Sequence, residues 1–235
     1  MRKVSRREFV AAAGFTGVGF ALGFGAKSIA PMPSGSVEVP LSNPGEALRL
    51  LLDGNKRYAA GSPLHPNQSK SRRLEVAGGQ APWAIILGCV DSRVPPEMVF
   101  DRGLGDMFVA RTAGQVIDNA VLGSLEFGVE EGAKLIMVLG HQNCGAVKAT
   151  IQTMQGNGHA EEHIDFLVQA TKPAVENARL HPGDLMDNTV RANVLLQVDS
   201  LKSSSSIISH AVESSSVGLV GARYDLGTGL VEIIT

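Results

Sequence analysis

Trp83-Ala-Ile-Ile-Leu-Gly88 runs directly into Cys89-Val-Asp-Ser-Arg93. The first half is a short unbroken apolar run, the pattern of a strand buried on both faces of a sheet. The second half places a thiol, a carboxylate and a guanidinium immediately after it. Met107-Phe-Val-Ala-Arg111 and Leu135-Ile-Met-Val-Leu139 repeat the apolar run, and the latter leads into Gly140-His-Gln-Asn-Cys144. Residues 217–224 predict a fourth strand, 225–229 a turn and 230–234 a short final strand.

Helical spacing fills the intervals. Asn43, Pro44 and Glu46 form a start signal, and Leu48, Leu51 and Leu52 share a face, which predicts a helix over 44–60. Residues 61–79 read as loop and short helix. Val121, Leu122, Leu125 and Val129 predict a helix within 116–131, with further helices at about 143–155, 160–179 and 187–202. Strands alternating with helices give an α/β domain, with a mostly parallel central sheet flanked by helices and an N-terminal helical arm. No internal repeat is present. The serine runs at 203–206 and 214–216 are too short for low-complexity segments.

Ligands of parallel sheets gather at the carboxyl ends of strands. Cys89, His141 and Cys144 all fall there. Two thiolates and an imidazole form a donor set that zinc accepts, and a catalytic zinc keeps three protein ligands and an open position. Taken singly, His141 reads as a core histidine and the two cysteines as a disulfide or two buried thiols. Their joint placement beside Asp91 and Arg93 favours the metal, because a charged pair after a buried strand needs a purpose. A thiol redox role is disfavoured, since the cysteines lack the Cys-x-x-Cys spacing.

Composition narrows the function. With 21 basic and 23 acidic side chains and a net charge of -2, the chain lacks the basic face that nucleic acid requires. The amino terminus stands apart. Ser5-Arg6-Arg7-Glu8-Phe9-Val10 precedes a glycine- and alanine-rich apolar stretch ending near Gly25, which resembles a twin-arginine export signal. The expectation is a signal peptide over 1–30, a linker over 31–42 and one domain over 43–235, with the twin-arginine machinery as a partner and the periplasm as destination. The alternative is a membrane anchor formed by an uncleaved signal.

Three stretches together, Cys89-Val-Asp-Ser-Arg-Val-Pro95, Phe108-Val-Ala-Arg111 and Gly140-His-Gln-Asn-Cys-Gly-Ala-Val147, resemble the β-class carbonic anhydrases. The likeness extends over residues 43–235. It implies Zn2+, one per chain, on Cys89, His141 and Cys144, with Asp91 and Arg93 as the catalytic pair. The implied reaction is the reversible hydration of CO2 to bicarbonate and a proton by zinc-activated hydroxide. Gln80 matches a substrate-holding glutamine of the plant-like subgroup, and Phe108 its apolar pocket residue. Phe127 stands where that subgroup often carries a tyrosine supplied across a dimer, so a hydroxyl is absent here. The resemblance also implies a homodimer or higher even oligomer. Alternatives on the same fold are hydrolysis of CS2 or COS and non-enzymatic bicarbonate binding around a structural zinc. No proton shuttle is identified among His65, His159, His163, His181 and His210.

Overall fold

The computed structural model describes residues 41–235. The expected signal peptide and nearly all of the expected linker lie outside the described residues. No helix among those described is long and apolar enough to cross a membrane.

Five strands form one sheet in the order β2-β1-β3-β4-β5. They are β1 (Ala84–Gly88), β2 (Met107–Arg111), β3 (Leu135–His141), β4 (Gly218–Tyr224) and β5 (Val231–Ile233). The first four run parallel and β5 pairs antiparallel with β4. Every residue of β1 and β3 is buried, whereas edge strand β2 is half-buried throughout. Alternation explains the double burial. Ala84 and Ile86 of β1 point into one core layer with Leu51, Phe100, Met137 and Leu139. Ile85 and Leu87 point into the other with Leu125, Ile136, Val138, Val194 and Ile208.

Helices cover both faces. They are α1 (Pro44–Ala59), α2 (Lys70–Glu75), α3 (Pro96–Val99), α4 (Asn119–Glu130), α5 (Gly145–Met154), α6 (His163–Ala178), α7 (Leu185–Ser204) and α8 (Ser206–Glu213). The cap expected at Asn43 forms, its side chain accepting from the Glu46 amide at 2.9 Å.

Several sequence expectations shift. Helix α4 starts at Asn119 under an Asp118 cap, because residues 113–115 form a 3-10 turn and Val116 is extended. Helix α7 reaches from Leu185 to Ser204 under an Asp184 cap. Two helices were not expected. Short α3 is concealed by its two prolines, and α8 by the serine run. In α8 the Ser205 hydroxyl caps the helix by accepting from the Ile208 amide at 3.1 Å, while Ile208 and Ala211 turn inward. Strand β3 also extends two residues past Leu139, so His141 is the last residue of the strand and pairs with Tyr224.

The α1 arm is locked to the sheet. A Cβ on Gly54 would lie 1.8 Å from the Phe100 carbonyl oxygen, so only glycine permits this approach. Asn55 donates to the carbonyls of Val99 and Gly229 and accepts from the Val231 amide. Next to it, the fully buried Asp101 carboxylate accepts from Arg57 at 2.7 Å and from the amides of Leu64 and His65. Burial opposes its ionisation, but the two amides and the guanidinium outweigh it and hold its carboxyl below the usual range. A depressed carboxyl contributes stability that is complete above its unfolded value, near ~3.9, and is lost as pH falls through the folded value. Asp101→Asn is expected to cost about 1–3 kcal/mol near neutral pH. The gap between wild type and variant should close as urea unfolding is repeated toward pH 3, and a gap that stays constant would contradict this account.

Candidate metal centre

Strand order places the site. β1 and β3 are neighbours whose chain connections leave toward opposite sides of the sheet, and the crevice at such a switch point collects ligands. Cys89 follows β1, His141 closes β3, and Cys144 sits at the N-cap of α5. All three are buried, and their donor atoms lie within 4.8 Å of one another. The cysteines are free thiols with sulfurs 4.0 Å apart, far beyond the ~2.0 Å of a disulfide. Two sulfurs sharing a tetrahedral zinc at ~2.3 Å stand about 3.8 Å apart.

The histidine is preset. Its Nδ1 lies 2.9 Å from the Gln142 carbonyl oxygen, which can only accept, so Nδ1 carries the proton. Nε2 therefore presents its lone pair to the sulfurs. That atom is buried without a hydrogen-bond partner, a costly state that a metal relieves. The cysteines share the same logic. The Cys89 thiol is pulled down, chiefly by the hydrogen bond from the Cys144 thiol and against burial. Cys144 is pushed up by that same bond and by burial, although the Val147 and Ala146 amides of α5 favour its thiolate. The pair sheds one proton readily and holds the second. A dication in place of that proton satisfies both sulfurs, so the residues fit zinc.

Asp91 stands at the mouth, its Oδ2 3.9 Å from His141 Nε2. Arg93 binds it in a fork, Nε to Oδ1 at 2.9 Å and an η-nitrogen to Oδ2 at 2.7 Å, and the Arg93 amide adds a bond to Oδ1 at 3.0 Å. The guanidinium bonds hold the Asp91 carboxyl far below the usual range, against burial.

Comparison with known proteins decides the family. The family model described as carbonic anhydrase matches residues 84–231. A carbonic anhydrase of Mycolicibacterium smegmatis is 42% identical over 196 residues, covering 83% of this chain and 95% of that protein. Carbonic anhydrase 2 of Mycobacterium tuberculosis is 42% identical over 192 residues, covering 81% and 93%. A solved Coccomyxa β-carbonic anhydrase in complex with acetazolamide is 30% identical with TM-score 0.61, covering 80% of this chain and 86% of that one. The chain belongs to the β-carbonic anhydrase family.

In this β-carbonic anhydrase a second arginine shapes the metal loop. Arg111, the last residue of β2, donates to the Cys89 carbonyl at 2.7 Å and to the Asp91 carbonyl at 2.6 Å. It clamps the turn that carries Cys89 and Asp91 together. The sequence showed Arg111 only as part of a shared motif; its role follows from register, since it pairs with Gly88 just before Cys89.

The remaining expected residues do not reach this centre within one subunit. Gln80 is exposed at the opposite end of β1, on a cleft of about 370 Å³ with Arg72, Arg102 and Trp83. The Arg102 guanidinium lies 5.3 Å over the Trp83 ring. Phe108 and Phe127 pack edge to face with centroids 5.9 Å apart. They line a groove on the β2 side, with Asn119, Ala120 and Gly123. Phe108 pairs with Ile85, about 10 Å along the strand from the metal end. The five other histidines are all exposed.

Proposed function

We propose that the protein interconverts CO2 and bicarbonate at a zinc held by Cys89, His141 and Cys144, with Asp91 and Arg93 as the residues that work beside it. The observation that carries this reading is the preset His141 Nε2, buried and unpartnered and aimed at two free thiols. Zinc, when bound, supplies a water acidified enough to attack CO2 near neutral pH. The chain does the rest. Asp91, kept ionised and acceptor-only by Arg93, accepts a hydrogen bond from the nucleophile and so orients a lone pair toward substrate. Arg111 keeps Asp91 in register with Cys89. The test is stopped-flow CO2 hydration by the purified protein, run beside COS hydrolysis. CO2 turnover well above background supports the reading, and COS turnover alone overturns it.

Gln80, Phe108 and Phe127 fit a substrate role only if a second copy brings them to the centre. Their placement away from their own metal site and the half-buried edge strand β2 support a homodimer or higher even oligomer. Gln80 in the matching position favours the plant-like subgroup.

Export is proposed from the sequence signal. A zinc site loaded before translocation keeps both thiols from oxidation in the periplasm. Arg6→Lys with Arg7→Lys is expected to leave the precursor in the cytoplasm, read by fractionation and immunoblot. Delivery equal to wild type would count against the twin-arginine route.

A further inference from the structure

We infer that the cleft at the amino-terminal end of β1, bounded by Arg72, Trp83 and Arg102, is a binding site for a small carboxylate with an apolar tail. It lies at the opposite end of β1 from Cys89, and the inference does not rest on the reading of the metal centre.

The cleft encloses about 370 Å³, within the range of small-molecule sites. Its charge is unbalanced, since two guanidiniums and a single carboxylate, that of Glu75, line it. Arg72 is the group that can take an anion. Its side chain is only 11% exposed. Its Nε donates to the Leu104 carbonyl at 3.1 Å and its Nη1 to Glu75 at 3.1 Å, which fixes the guanidinium plane. Its Nη2 has no partner among the described residues. Gly105 leaves that nitrogen room, because a Cβ there would come within 3.3 Å of it. Arg102 adds positive charge from a fixed position, lying 5.3 Å over the Trp83 ring and donating to the Leu50 carbonyl.

Trp83 supplies a second donor. The residue is 7% exposed, and its indole N–H has no hydrogen-bond partner among the described residues. That nitrogen is not sealed from solvent, and the cleft is where the ring lies open. Leu41, Leu50 and Val76, all half-buried, supply apolar wall. N–H donors in a positive field select a carboxylate, and the apolar wall selects a tail.

The cleft is also preformed. The Leu104 amide donates to the Asn67 carbonyl at 2.9 Å, and buried Asp106 accepts from Asn67 Nδ2 at 2.7 Å and from the Gly103 amide at 2.9 Å. These bonds knit the loop after α1 to the loop after α3. They hold His65 and Asn67 at positive φ, 53° and 56°, a conformation that persists only where the surroundings impose it. A site ordered in advance loses less entropy on binding.

Trp83 is the only tryptophan of the chain, so its fluorescence reads the cleft directly. Titration with hexanoate should change the emission saturably, with half-saturation at about 1 mM or below. Hexanamide, which lacks the charge, and acetate, which lacks the tail, should each need at least about tenfold more. Arg72→Gln should weaken hexanoate by about tenfold or more. Leu41→Asp puts a like charge at the rim and should weaken it similarly, which covers the case in which Arg72→Gln does not fold. Lys202→Gln removes a charge on α7 and should bind as wild type. Zinc-stripped protein should respond as the loaded protein does. An unresponsive wild type, an equal response to hexanamide, parental binding by a folded Arg72 or Leu41 variant, or a response lost with the zinc overturns the proposal. Absence of CO2 hydration would overturn the functional reading instead and leave the titration as it stands.

Discussion

Cys89→Ser, Cys144→Ser and His141→Ala proteins are each expected to retain less than about a tenth of the zinc of wild type and to lose CO2 hydration to the background rate. Each removes one of three donors. A hydroxyl near neutral pH is a poor replacement for a thiolate, which is the anion that ligates. The losses should not be graded, because the three donor atoms sit within 4.8 Å as one cluster, and Asp91, the donor beside it, is held by Arg93. Removing one cysteine also deprives the other of its hydrogen-bond partner at 4.0 Å, so the surviving thiol should return toward its ordinary titration. Metal content by elemental analysis, with the pH dependence of thiolate ultraviolet absorbance in the folded metal-free variants, checks both statements. A serine variant retaining full zinc would show that the metal is held elsewhere.

Arg93→Ala is expected to lower kcat/KM by about 100-fold or more, within the range that a positioned proton-accepting group supplies, while zinc stays bound. The arginine makes two side-chain bonds to Asp91, one to each oxygen, and its amide makes a third. Cutting the side-chain bonds frees a carboxylate whose Oδ2 is already 3.9 Å from His141 Nε2. It can then turn onto the metal as a fourth ligand. Zinc affinity should therefore hold or rise in Arg93→Ala even as activity falls, a combination that simple loosening of the site would not give. Asp91→Ala should also retain zinc and lose turnover. The double variant should be no worse than the worse single one, because the two side chains act as one unit. Additive losses would mean that Arg93, exposed by about half (54%), acts on substrate independently of Asp91.

Much of this was legible in the chain. Apolar runs fixed by burial on two faces announced β1 and β3, and the same logic put Cys89 and His141 at one sheet edge. What escaped had physical reasons. Helix α8 hides in a serine run because one of those serines is its cap, and a cap reads as a loop until the inward Ile208 and Ala211 are placed. The reach of β3 to His141 depends on pairing with Tyr224, which lies far along the chain. Gln80, Phe108 and Phe127 were linked to substrate by resemblance alone, and within one subunit they lie at the far end of β1 and on the β2 face. Local sequence could not reveal that separation.

The most direct test of the central claim is zinc titration of chelator-stripped protein, followed by CO2 hydration in a stopped-flow instrument. Activity is expected to start at the background rate, rise in proportion to added zinc and level off at about one zinc per chain. Activity that persists in the stripped protein, or protein that binds zinc and stays inactive, would contradict it.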